Sequence, residues 1–281
     1  MIPHVRDLYH GDYDGKMPPF AEMKAAGTLG VILKASEGGA FTPDRPAMPA
    51  IAARPARPAI PKITNAKTGQ TMGGIEAVAA VPGIPAQAAS KSGKWSYQDP
   101  TRHDRAVTAA NAGLLVGFYH FLTNVRAGDQ VKNFLDAIDY AADPNSEILL
   151  AVDYEKGHNT PSLHVLMDFI KGVELITRRT MVIYGSDLIA ETITPHLGGQ
   201  QAANMAGFED FIRQRRLWIA AYGRGPKNPP AVPWPWNVKK SDADPAPGIF
   251  LWQYTASTDG TGDCNYYPLD PGELAAEWSG A

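Results

Sequence analysis

Asp153 and Glu155 stand two residues apart at the end of a continuous apolar run, Ile148-Leu149-Leu150-Ala151-Val152. Residues i and i+2 of a strand point to the same side, so the two carboxyl groups share a face with Cα atoms roughly 6.5 Å apart. Two carboxyls at such a range suit glycoside hydrolysis, in which one is held protonated and the other ionised. A lone D-x-E also serves simply to solvate a strand exit, so the chemistry depends on what the rest of the chain brings to the same place.

The pair needs a rigid support. The apolar part reads as a strand buried on both faces, because it is short, continuous and bounded by Pro144-Asn145 and Lys156-Gly157. Upstream, residues 4–8 read as a first strand that delivers Asp7 ahead of the turn-rich Gly11-Asp12-Tyr13-Asp14-Gly15, where Asp12 and Asp14 are first of all turn residues. Residues 20–26 have helical spacing closed by Gly27, and 30–35 form a second buried strand that leaves through Ser36-Glu37-Gly38.

From 40 to about 94 the composition shifts to Pro, Ala, Arg and Gly, most sharply in Arg54-Pro55-Ala56-Arg57-Pro58. Proline at this density removes backbone donors, which predicts an insertion in polyproline-like or irregular form within a chain that is otherwise one domain, 1–281. Downstream, Asp99-Pro100 reads as the N-cap and first position of a helix running to about 112. Strands are then predicted at 114–121, 148–155, 181–184, 217–222 and 249–254, with helices at 128–142, 161–178, 186–194 and 200–213 between them. A Pro-rich loop at 223–248 carries Trp234 and Trp236.

About seven strands separated mostly by helices give an α/β barrel or a doubly wound sheet. Polar and aromatic residues recur at the C-terminal ends of many strands, namely Asp7, Glu37, Tyr119, Asp153, Glu155, Tyr184, Tyr222 and Gln253. A ring of strand ends contributing to one site is barrel behaviour. No G-x-G-x-x-G follows a strand, and there is no P-loop, H-E-x-x-H or Cys/His metal spacing, so neither cofactor nor metal is implied.

Composition narrows the class further. The chain has 281 residues, 44% of them hydrophobic, a formal net charge of -3 and one cysteine, Cys264. A core of good size is affordable without disulfides, and no basic field or Lys/Arg-rich block invites nucleic acid. The N-terminus lacks the basic-then-apolar pattern of a signal peptide and no apolar stretch is fit to span a bilayer. The expectation is synthesis in the cytoplasm without membrane insertion.

Six segments in order resemble glycoside hydrolase family 25, the muramidases often encoded by bacteriophages. They are Val5-Arg6-Asp7-Leu8, Val31-Ile32-Leu33-Lys34-Ala35-Ser36-Glu37-Gly38, Gly117-Phe118-Tyr119-His120-Phe121, Leu150-Ala151-Val152-Asp153-Tyr154-Glu155, Leu217-Trp218-Ile219-Ala220-Ala221-Tyr222, and Trp252-Gln253-Tyr254 followed by Asp263. The resemblance implies an irregular, TIM-like β/α barrel that cuts the β-1,4 bond between N-acetylmuramic acid and N-acetylglucosamine in peptidoglycan, acting on the bacterial cell wall. Four acidic positions carry over: Asp7, Asp153, Glu155 and Asp263. Tyr9-His10 after the first aspartate, and the insertion directly after the second strand, depart from the family pattern.

On this footing Glu155 is the expected general acid, since a neighbouring carboxylate and partial burial raise its pKa. Asp153 is then the ionised partner, either attacking the sugar or orienting the substrate's own 2-acetamido group. Tyr119, Tyr184, Trp218, Tyr222 and Trp252 are candidates for a sugar platform, because aromatic faces stack on pyranose rings. His120 reads as a satisfied core histidine. The competing reading is a wall-binding or virion structural protein that keeps the barrel without turnover, with the 40–94 insertion docking a virion or wall partner. A chitinase-like barrel would need D-x-x-D-x-D-x-E, and Leu149, Leu150, Ala151 and Val152 precede Asp153 instead.

Overall fold

The computed structural model describes residues 4–39, 63–64, 71–72, 96–140, 147–156, 159–186, 189, 208–223, 228–237, 239, 247–256 and 260–278. The chain divides into two compact units, Met1–Phe41 with Ser92–Ala281, and Thr42–Lys91. In chain order the strands are β1 (His4–Leu8), β2 (Thr28–Gly38), β3 (Ile63–Thr64), β4 (Thr71–Met72), β5 (Ser96–Gln98), β6 (Leu115–Phe121), β7 (Leu149–Asp153), β8 (Val182–Ser186), β9 (Arg216–Ala220), β10 (Ile249–Thr255) and β11 (Asp263–Tyr266). The helices are α1 (Phe20–Ala25), α2 (Arg102–Asn111), α3 (Ala127–Ala137), α4 (Leu163–Thr177), α5 (Phe208–Arg213) and α6 (Pro271–Trp278).

Eight strands close on themselves in the order β1-β2-β6-β7-β8-β9-β10-β11, and β11 returns to β1. The fold is thus the β/α barrel that the strand-end pattern predicts. Seven of the eight run parallel to their barrel neighbours, as β-strand–helix alternation requires. The eighth, β11, is antiparallel to both β10 and β1. That reversal puts the first residue of β11, Asp263, at the rim where the parallel strands end, in register with Asp7.

The period of two sorts each strand between two cores. On β7, Leu149 and Ala151 face the barrel interior with Val5, Ile32, Val182, Trp218 and Leu251. Leu150 and Val152 face outward onto the helices, with Phe134, Leu166, Phe169 and Ile170. The lower mouth is plugged by α6, which the sequence reading did not anticipate. Trp278 is buried there, its indole N–H donates to Val116 O at 2.6 Å, and a Cβ on Gly30 would come within 3.1 Å of its ring.

Several boundaries differ from expectation. The central strand ends at Asp153, so Glu155 lies just past it, although Tyr154 N still donates to Tyr184 O at 2.8 Å. The first helix after the insertion starts at Arg102, and Asp99 instead accepts from Thr101 N and His10 N, tying the helix entry to the first loop. Helix α3 ends at Ala137, two residues before Asp139 takes a left-handed φ of 50°, a conformation a short polar side chain tolerates. Within the insertion, predicted to be irregular, β3 and β4 pair antiparallel over two residues each. Residues 190–207, which carry most of one predicted helix and the start of another, lie outside the described residues, as does most of 40–94.

Candidate active site

The barrel rim gathers acids from three strands and arranges them in two ways. On one side Asp7 of β1 and Asp263 of β11 face each other across an antiparallel pair. Their approach depends on Gly262, which has φ +82° and no room for a side chain: a Cβ there would lie 2.0 Å from Leu8 Cδ2 and 2.8 Å from Asp7 O. Asp7 Oδ2 accepts from Asn265 Nδ2 at 2.7 Å and from Gln253 Nε2 at 3.0 Å. The same Gln253 amide donates to Asp263 Oδ2 at 3.0 Å. Burial, then the charge of Asp263, pushes Asp7 up to about 7 against these donors, which favour its ionised form.

The second arrangement is at the end of β7. Asp153 is 7% exposed, and its buried Oδ1 has no hydrogen-bond partner among the described residues. Burial first, and the Glu155 carboxyl second, hold Asp153 well above the ordinary carboxylate range, while Lys34 opposes the shift. Burial also raises Glu155, which is the more exposed of the two. Gly185 of β8 leaves space for the segment that carries Glu155, since a Cβ at 185 would come within 2.9 Å of Tyr154 O. Lys34 reaches the same rim from β2, paired with Glu37 at 2.8 Å and lying 5.1 Å from the centre of the Phe121 ring.

The five aromatic candidates do not form one platform. Trp252 is 1% exposed, packs in the outer core and donates its indole N–H to Ala221 O, so it faces away from the rim. Trp218 is inside the barrel but 2% exposed; its N–H donates to Asn265 Oδ1 at 2.6 Å, and its ring lies 4.5 Å from Tyr184 and 6.4 Å from Tyr119. Neither tryptophan offers a face to a sugar. Tyr184 is buried and donates to Gln253 Oε1 at 2.7 Å. Tyr222, 50% exposed, makes a matching 2.7 Å bond to the same oxygen, and Tyr119 is half-buried. Tyr222 and Tyr119 are therefore the candidates left with surface to present.

The first loop is held rather than catalytic. Asp12 is buried and accepts from Tyr9 N at 2.7 Å, and burial pushes it up to about 6. Buried Arg105 clamps the loop by donating to Tyr9 O, Asp12 O and Lys16 O. His120 bridges Ser36 Oγ and Gln130 Oε1, stacks on Phe169, and burial lowers it to about 3. It is a neutral, fully bonded core histidine.

Gln253 and Asn265 were not singled out by the sequence reading. The signal was present: each is an amide on the inner face of a strand, Gln253 two residues after Leu251 and Asn265 two after Asp263. Buried amides must find partners, and those facing a ring of acids find them there.

A closed β/α barrel whose buried carboxyls converge at the rim where its parallel strands end is a barrel hydrolase in build. The family model for "Glycosyl hydrolases family 25" matches residues 82–263, well over half of the chain. The chain belongs to that family and is a glycoside hydrolase. The match begins after β1 and β2, so Asp7 and Lys34 lie outside it; strand pairing brings both into the barrel. Among solved structures the fold is similar to a family GH25 lysozyme from Aspergillus fumigatus (TM-score 0.59, 19% identity, 100% of both chains). It is also similar to a muramidase from Acremonium alcalophilum (0.58, 18%, 99% of this chain and 100% of that one). A third likeness is to the catalytic domain of an endolysin from bacteriophage P40 of Listeria monocytogenes (0.57, 15%, 100% and 98%). Comparison with curated proteins gives no match.

Proposed function

We propose that this glycoside hydrolase is a muramidase, cleaving the β-1,4 bond between N-acetylmuramic acid and N-acetylglucosamine in peptidoglycan. The observation that carries the reading is the Asp153/Glu155 pair: two carboxyls with raised pKa values at the rim of a family 25 barrel, one with a buried oxygen left unpartnered. Two like charges in so dry a place cannot both be held, so the pair keeps a proton at neutral pH. Glu155, the more exposed member, delivers it to the departing glucosamine O4 as the glycosidic bond breaks. Asp153 meets the positive charge that grows at the muramic anomeric carbon, by direct attack or by orienting the 2-acetamido group. Asp7 and Asp263 add negative potential from the other side of the rim, and Tyr222 and Tyr119 contact the sugar rings.

The lysozymes and muramidase among the structural neighbours support this substrate, and the endolysin supports a role in phage lysis or as a virion-associated lysin. The site of action is then the bacterial cell wall, and no helix among the described residues is long and apolar enough to cross a membrane. The 40–94 insertion is the proposed contact with a wall or virion partner. A non-catalytic binding protein on the same barrel would gain nothing from an unpartnered buried carboxyl, which costs stability.

Mass spectrometry of fragments released from purified peptidoglycan tests the bond assignment. Fragments with reducing-end muramic acid are expected; reducing-end glucosamine or free peptide stems would overturn it.

A further inference from the structure

Gln253 has four hydrogen-bonding sites on its amide and fills all of them while only 1% exposed. Its Oε1 accepts from Tyr184 and Tyr222, both at 2.7 Å, and its Nε2 donates to Asp7 Oδ2 and Asp263 Oδ2, both at 3.0 Å. The amide has only one workable orientation. Turned over, its oxygen would face two carboxyl oxygens while its N–H groups met two hydroxyls. Asn265 repeats the device: its Oδ1 accepts from the Trp218 indole at 2.6 Å, and its Nδ2 donates to Asp7 Oδ2 at 2.7 Å and to Val5 O at 3.2 Å. Two amides, each turned by buried or half-buried aromatic donors, thus converge on one oxygen of Asp7.

We propose that Gln253 is a positioning residue for the Asp7/Asp263 seam: held by Tyr184 and Tyr222, its amide keeps both acids as hydrogen-bond acceptors and so keeps them available as anions at the rim. Donors to a carboxylate favour its charged form, while burial and a facing carboxyl favour the neutral one. The groups that bear on Asp7 are Asp263 on β11, Asp12 in the first loop, Asp153 on β7, Tyr119 on β6, Tyr184 on β8 and Tyr222 after β9. None of these is a cation, so the amides are the groups on the page that offset the crowding. The side chains first read as a sugar platform, Tyr184 and Trp218, act here through the amides they orient.

The test is a titration of the Asp7 carboxyl by ¹³C NMR in the full chain, assigned with Asp7→Asn, for the parent, Gln253→Leu and Gln253→Glu. Gln253→Leu removes both donors; Gln253→Glu is isosteric, keeps the acceptor for the two tyrosines and preserves the fold if the leucine does not. The midpoint is expected to rise by at least one pH unit in each folded variant. An unchanged midpoint would overturn the proposal whatever the enzyme's substrate proves to be. The kinetic consequence rests on the muramidase reading: the acidic limb of kcat/KM on a soluble glycan should move up by at least one unit, with recovery at higher pH and KM within about twofold. A uniform loss at every pH, in step with a lowered melting temperature, would mark a merely structural role.

Discussion

The two acid pairs at the rim are built from the same functional group and have opposite surroundings. Asp7 and Asp263 sit on paired strands, and each accepts from the Gln253 amide, itself locked by two tyrosines. Asp153 and Glu155 sit at and just beyond a strand end, with a buried oxygen of Asp153 facing no donor among the described residues. The clamped pair is a fixed source of potential, since moving a proton on it means disturbing several hydrogen bonds at once. The open pair can gain, lose or pass a proton without that cost. The comparison teaches that a ring of strand-end acids is not one site with four equal members; what the neighbours donate decides which acids react and which hold the field.

The sharpest way to break this contrast is Asp153→Asn. Turnover should fall at least a hundredfold, in line with removing a charge preorganised for the transition state. Melting temperature should hold or rise, because a buried carboxyl without a donor is replaced by a neutral amide. Peptidoglycan turbidity assays and calorimetry read both. Retained turnover would erase the distinction between the pairs. Gly185→Val tests whether Glu155 owes its place to the space at β8: the added side chain meets Tyr154 O, and turnover should drop about tenfold or more, since small displacements of a reacting group are costly.

Asp7→Asn should cost less activity than Asp153→Asn, because its amide can still accept through one oxygen. Its stability effect should depend on pH. Asp7 titrates near 7 when folded and near 4 in an unfolded chain, so between these values the folded protein holds a proton that the unfolded chain has lost. The associated stability is complete below about pH 4 and gone above about pH 7. The asparagine variant should therefore melt higher than the parent at pH 8, by an amount on the order of 1–2 kcal/mol, and the gap should close at pH 4 to 5. Calorimetry at both values checks the sign.

Smallest of all should be the effect of removing residues 42–91 and closing with a short Gly/Ser linker. The eight barrel strands pair without that segment, and loop closure entropy changes by only about 0.6 kcal/mol per doubling of length. The melting transition should persist within a few degrees, with activity on intact walls reduced more than activity on short soluble glycans. A collapsed transition would make the segment part of the barrel core.

Much of the architecture was legible because it rests on local pattern. Short apolar runs ending in polar residues marked β1, β2, β6, β7, β8, β9 and β10, and the acid at each rim position followed from the strand that carries it. What stayed hidden depends on long-range pairing. Asp263-Cys264-Asn265-Tyr266 is too short and too polar to announce a strand, yet β1 and β10 make it one, and its reversed direction is what sets Asp263 opposite Asp7. Helix α6 follows a single Pro-Gly and has few apolar positions, so its role as the lower plug emerges only from Trp278 meeting Gly30 and Val116. Trp218 and Trp252 show the limit of residue type as a guide: whether an aromatic on a barrel strand meets a sugar depends on face and depth, which register sets.

The most direct measurement compares Glu155→Gln with the parent on two substrates: a natural muramyl glycan, whose glucosamine leaving oxygen needs a proton, and a muramic acid glycoside carrying a dinitrophenolate, which leaves without one. Loss of general-acid assistance costs about 10² to 10⁴ in rate. The variant should lose at least a hundredfold on the glycan, keep most of its turnover on the aryl glycoside, and remain folded. Equal loss on both substrates, or undiminished activity on the glycan, would contradict the assignment of the transferred proton to Glu155.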